Sequence, residues 1–375
     1  MASIYLTKEA FDKISLEEDS LEFKIITRQH DVYLDMSNEQ ILDLLDPDEE
    51  TMQESPSSLF EFQQEFHTIA FKTGKSIFDN VRRKNYDVLL DIPNGIFIFD
   101  VDKATADSIK NKYGVICMSS NDIDFSVLTK SNTIYLEREK MEYPPFDEEQ
   151  KAEHYNINQI ITDDVLTPCN TFVIIDKYIF KDDKEGKCLV EILSRLIPKT
   201  LKESVCHVLI IFDTCCDSPL KKEEVFRQIS TDIQQKIAKI HDKNIVVEFL
   251  AGGRQSTLFG DMHNRNIISN YCIISAEHGL SFYDNRGRSL YDQKVSIQGL
   301  YSDGLANKSH SPEHGINLIR RKVINIIRFA QEHFSKDLKK DLEGNKYPEY
   351  RFSQDGKCNP VKISPKDIKN RLVAI

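Results

Sequence analysis

The chain of 375 residues contains no tryptophan. It also lacks any stretch in which aromatic and basic residues interleave, which excludes a dedicated platform for stacking single-stranded bases. No run of 18 apolar residues occurs, so no membrane-spanning helix is predicted. The opening MASIYLTKEAFDKISLEEDS has no basic stretch leading into an apolar core, and no signal peptide is expected. The eight cysteines form no CxxC pair and no Cys/His cluster with zinc spacing. Neither a metal nor another cofactor is therefore implied. Buried free thiols in a reducing, cytoplasmic compartment are the expectation, with the adjacent Cys215 and Cys216 standing apart. Internal repeats and low-complexity tracts are absent.

What is present describes a globular protein long enough for two domains, 40% apolar and 29% charged. Its net charge of −11 is unevenly divided. Residues 1–165 hold 34 Asp and Glu against 16 Lys and Arg; residues 166–375 hold 26 against 33. Such asymmetry points to different partners for the two halves, or to one half docking on another copy or protein; separate solubilisation of each half is the plainer alternative.

Periodicity predicts an α/β chain in four parts. Residues 1–136 read as an acidic α+β domain. Its strands are expected at EFKIIT and DVYLDM, with a helix from Ser37 to Asp46 and a long helix from about 58 to 84. A hairpin of YDVLLDI and GIFIFDV would turn at Pro93–Asn94–Gly95, followed by a helix ending at Gly114 and the strand VICMSS. Residues 137–168, charged and proline-bearing, form the boundary. Residues 169–334 repeat strand–helix–strand–helix–strand with nearly continuous apolar strands, the mark of a buried parallel sheet with helices on both faces. Two strands turning near Ser269–Asn270 and a basic helix from about 315 follow. Residues 335–375 form a basic C-terminal extension.

Chemistry concentrates in HNRNIISN, residues 263–270. On a strand, His263 and Arg265 share one face. A guanidinium there gives bidentate, charge-assisted hydrogen bonds to a phosphate's non-bridging oxygens, and an imidazole can attack phosphorus or protonate a leaving oxygen. A strand-end pair satisfying local carboxylates is the structural alternative. Placed after three parallel strands, HxRxxxxN resembles the HxKxxxxD signature of the phospholipase D-like superfamily. SAEHG (275–279) stands where that family's small-residue segment lies, and the apolar strand ending in Asp176-Lys177-Tyr178 resembles the family's opening strand. The resemblance covers about 160 residues and leaves the first 150 unexplained.

The resemblance implies a metal-independent phosphodiesterase site. His263, Arg265 and Asn270 would be its catalytic residues, with Arg254, Arg265 and Ser275 on the phosphate. The family uses a phosphohistidine and a second histidine as acid, supplied by a second motif or a homodimer partner. His278, His310 and His314 are candidates here; the fragment HDKNIVVE (241–248) is a poorer second copy. Arg for Lys alters the geometry, and Asn for Asp removes a carboxylate, so binding with little or no turnover is the leading expectation. An active homodimeric nuclease is the alternative, as is a non-enzymatic protein- or membrane-binding subunit. Arg286, Arg288, Arg320, Arg321 and Lys322 are candidate nucleic-acid contacts. A role in a bacterial defence or mobile-element system is implied by the resemblance alone.

Overall fold

Five short strands, β1 (Ser3–Leu6), β2 (Asp31–Leu34), β3 (Ala70–Thr73), β4 (Gly95–Phe99) and β5 (Ile116–Ser119), pair in parallel in the order β3-β2-β1-β4-β5. The structure is a computed structural model. It describes residues 2–47, 57–138, 155–182, 186–213, 223–241, 245–252, 265–284, 287–302, 311–334, 351–354, 357–359 and 368–373. Within the first sheet, side-chain caps start the crossover helices: Thr7 for Lys8–Ser15, Ser20 for Leu21–Ile26 and Asp102 for Lys103–Tyr113.

Three expectations are corrected here. EFKIIT is helical, because Ser20 caps it and Glu22 sits in its first turn. The long helix is two, Ser58–Glu65 and Lys75–Arg82, separated by β3, in which only Phe71 is buried. YDVLLDI is no hairpin arm. Asp87–Asp91 winds as a 3-10 helix with only Leu89 fully buried, and β4 runs parallel to β1. The first unit is consequently α/β rather than α+β.

The second sheet contains β6 (Ser131–Leu136), β7 (Thr171–Ile175), β8 (Cys206–Asp213), β9 (Ile245–Gly252), β10 (Arg265–Ser269), β11 (Cys272–Ala276), β12 (Gln293–Gly299), β13 (Arg351–Gln354) and β14 (Lys357–Asn359). Its order is β14-β13-β9-β8-β7-β10-β11-β12-β6. β7, β8 and β9 are parallel, and the remaining pairings are antiparallel. Both faces carry helices: Lys187–Leu196 and Glu223–His241 on one, Pro312–Phe334 on the other. Two domain limits shift. β6, from the acidic half, is an edge strand of the second sheet. The C-terminal extension is not a mere tail: β13 extends the sheet, and residues 368–373 bury Asn370, Leu372 and Val373.

The two sheets share one hydrophobic cluster, running from Ile4, Leu6, Ile96 and Ile98 to Val173, Ile211, Ile268 and Ile273. Polar groups seal the seam. The Tyr271 hydroxyl donates to the Gly95 carbonyl at 2.5 Å and accepts from the Ile116 amide at 3.1 Å. Gly114, at φ +66°, closes its helix so tightly on the Cys169 carbonyl that a Cβ would collide with it. The buried Glu248 carboxylate accepts from the amides of Lys369 (2.8 Å) and Asn370 (3.0 Å), fastening the C-terminal segment. Cys117, Cys169, Cys188, Cys206 and Cys272 are free and buried, as expected; burial pushes the Cys117 and Cys272 thiols up to about 12. No described helix is long and apolar enough to cross a membrane.

Tyr271→Phe would strand a buried amide and a buried carbonyl, and should cost about 1–3 kcal/mol in urea unfolding; an unchanged midpoint would remove Tyr271 from the seam. His207 offers a pH test. Burial, then the positive charges of Arg371 and Lys369, lower its imidazole from 6.5 to about 4. The unfolded chain takes up that proton first, so stability is lost as pH falls from 6.5 toward 4. Thermal melts of His207→Gln should show a shallower acid decline than the parent over that window.

Candidate functional site

The chain order of the second sheet creates a topological switch point. From β7 the chain crosses to β8 and β9 on one side, then returns to place β10 on β7's other side. Ligands of open α/β sheets bind outside the carboxyl ends of strands at such a point. Here the register extends from Asn266↔Ile175, which brings Arg265 to the end of β7 beside Asp176.

Asp176 is 1% exposed and acts as a hub. Its Oδ1 accepts the Tyr178 amide and its Oδ2 the Leu280 amide, both at 2.8 Å. The same carboxylate lies 3.8 Å from Arg265 Nε. The Arg265 guanidinium stands over the Tyr178 ring, 5.6 Å from its centroid, and donates through Nη1 to the Glu277 carbonyl at 2.7 Å. From the other side, Gln293 Oε1 accepts the His278 amide at 3.2 Å. One peptide unit, Glu277–His278, is thus clamped at its carbonyl by Arg265 and at its amide by Gln293. Gly279, at φ +140°, then turns the loop over Asp176. The clamp presents His278 at the rim, exposed, its ring 5.9 Å from that of Tyr291.

Only part of the expected constellation assembles. Arg265 and His278 share the rim, while His263, Arg254, Arg286 and His310 lie outside the described residues. Asn270 stands at the opposite end of β10 and is fully buried. Its Oδ1 accepts the amides of Asn170 (2.9 Å) and Thr171 (3.2 Å), and its Nδ2 donates to Pro93 O and Asn170 Oδ1. The assignment of Asn270 to catalysis is corrected: strand length separates it from Arg265 by about 16 Å, and its amide joins the two sheets. Ser275 pairs with Asn266 and donates to its Oδ1 at 2.7 Å. Alternation puts that pair on the sheet face opposite to Arg265, so Ser275 does not reach the same phosphate.

The basic set divides likewise. Arg288 is engaged by Asp284 through Nε and Nη2, at 2.9 and 2.6 Å. Arg320 is largely buried and donates to the Leu372 carbonyl, tethering the C-terminal segment; burial lowers its pKa. Arg321 and Lys322 are exposed, on a helix that covers the face opposite to Arg265. In HDKNIVVE, His241 closes a helix and Glu248 holds the C-terminal segment, so this is no second motif. His314, in the first turns of Pro312–Phe334, belongs to that same opposite-face helix.

A cleft of about 1210 Å³ lies between the helix Lys103–Tyr113 and residues 194–200. Its charges are largely matched: Lys103 with Asp122 and Arg195 with Asp163, each at 2.7 Å, and Lys110 with Asp107. It shows no excess of either sign that would select a charged ligand, and the rim remains the site with convergent chemistry. Among the described residues no group of three or more His, Cys, Asp or Glu could hold a metal ion. Asp176 and Tyr178 carried a sequence signal, a strand ending in Asp-x-Tyr; Gln293 carried none. No family model matches the chain, and no curated protein matches it.

Asn270→Asp would restore the HxKxxxxD consensus at that position. It should instead destabilise by about 2–4 kcal/mol, because a carboxylate would face Pro93 O and Asn170 Oδ1. Denaturant unfolding checks this; a variant as stable as the parent would show that the Asn270 donors are dispensable.

Proposed function

We propose that the chain is a phospholipase D-like protein that grips phosphodiester groups, those of nucleic acid, with little or no turnover. The observation that carries this reading is the switch-point rim at the end of β7, where Arg265 and Lys177 both stand against the Tyr178 ring and Arg265 holds the carbonyl of the Glu277–His278 peptide. Guanidinium and ammonium groups supply charge-assisted donors to a monoanionic diester, and the Tyr178 ring holds the guanidinium plane. The excess of basic over acidic residues in 166–375 favours a polyanionic partner. Binding is favoured over cutting because the motif's third residue is committed to the sheet junction and Arg265 replaces the family's lysine.

The test is anisotropy with labelled single- and double-stranded DNA and RNA across a salt series. Affinity should fall linearly in log salt, at about 0.7–0.9 per phosphate contact, and Arg265→Ala should weaken binding about tenfold and reduce the slope by about one. A slope near zero removes backbone contacts. Cleavage in EDTA at excess protein, abolished by His263→Ala, would instead make the chain a nuclease. Binding confined to phosphatidylserine vesicles would move the reading to lipid.

A further inference from the structure

A second group of polar atoms stands apart from the rim, where the two sheets meet beside Tyr301. Four buried atoms there have no hydrogen-bond partner: Arg28 Nε and Nη1, Gln29 Oε1 and Ser302 Oγ. Arg28 and Gln29 follow the helix Leu21–Ile26 of the first unit, whereas Tyr301 and Ser302 follow β12. The Arg28 guanidinium lies 5.7 Å from the Tyr301 ring centroid, and Gln29 Nε2 donates to the Tyr301 hydroxyl at 2.7 Å. We propose that these groups bind a small oxyanion that retains a hydroxyl, a free hydrogen phosphate ion, with Arg28 as its anchor. The site uses none of the rim's residues.

Arg28 is 7% exposed and forms no hydrogen bond or ion pair with any described residue. A guanidinium cannot shed its charge in a protein, and a buried charge is strongly destabilising unless it is paired. The Tyr301 ring attracts that charge but gives its N–H groups no oxygen to bond. Glu313 does not fill the gap. It feels the charge of Arg28, yet its Oε1 accepts the Ala2 amide at 3.3 Å, and it sits in the first turn of Pro312–Phe334, whose dipole answers a carboxylate. The remaining groups define the ligand. Arg28 N–H and Ser302 O–H can donate to anionic oxygens, whereas Gln29 Oε1 only accepts, its Nε2 being committed to the Ile25 carbonyl and Tyr301. The ligand must therefore carry a donor as well as a charge. At neutral pH inorganic phosphate keeps at least one hydroxyl, and sulfate, its match in size, has none.

The experiment is equilibrium dialysis of the full chain against radiolabelled inorganic phosphate, in an Arg265→Ala background that removes the rim. One phosphate per chain should be retained. Sulfate should compete about tenfold or more weakly, because it would leave Gln29 Oε1 unpaired. Arg28→Met should abolish retention, and Arg28→Lys, which keeps the charge without the fork, should give an intermediate affinity. In phosphate-free buffer Arg28→Met should melt at or above the parent's temperature, since an apolar chain replaces an unpaired buried charge. A variant that melts well below the parent makes Arg28 a structural group and overturns the proposal. A parent that retains no phosphate, or binds sulfate as well as phosphate, overturns it without any substitution at the site. Retention unchanged by Arg28→Met places the ion elsewhere, with the same result.

Discussion

Two adjacent residues at one turn, Asn270 and Tyr271, hold this molecule's two sheets in a single arrangement. The Asn270 amide bridges the start of β7 to the Pro93 carbonyl, and the Tyr271 hydroxyl spans β4 and β5. Both are fully buried, where each polar atom must find a partner or impose its full desolvation cost. The nonpolar cluster shared by the sheets supplies the bulk of the attraction, but it is non-directional. The turn supplies direction: in this docking of the first sheet its hydrogen bonds to Pro93, Gly95 and Ile116 are all made. The same turn ends the strand that begins at Arg265, so the seam and the rim are opposite ends of one five-residue element.

The parallel strands of the second half were legible because each is nearly all apolar and is followed by an amphipathic helix of crossover length. The β10–β11 hairpin was legible from two apolar runs meeting at a polar dipeptide. The first half misled where local composition favours two states. EFKIIT has strand-like content, but Ser20 begins a helix; YDVLLDI alternates weakly, and only the parallel pairing of β4 with β1 rules out a hairpin. Partner identity is a tertiary property, so nothing local in SNTIYL announces that it pairs with QKVSIQG more than 150 residues later.

The site divided in the same manner. Arg265 was legible through its spacing and its position after three strands, whereas the roles of Asn270 and Ser275 depended on facts no motif contains. Asn270 is spaced as a catalytic residue would be, yet that spacing equals the length of β10 and carries it to the far end of the strand. Ser275 follows the correct strand, but the register Asn266↔Ser275 turns it to the other face. Gln293 was invisible because its importance lies in one hydrogen bond to a backbone amide.

β6 leaves the acidic half and completes the edge of the second sheet, while that sheet's own hairpin turn fastens the first. Each half therefore contributes a piece of the other. Such a chain is not a pair of interchangeable modules: recombination between residues 137 and 168 would separate neither half intact, since β12 would lose its neighbour and β4 and β5 their hydroxyl bridge.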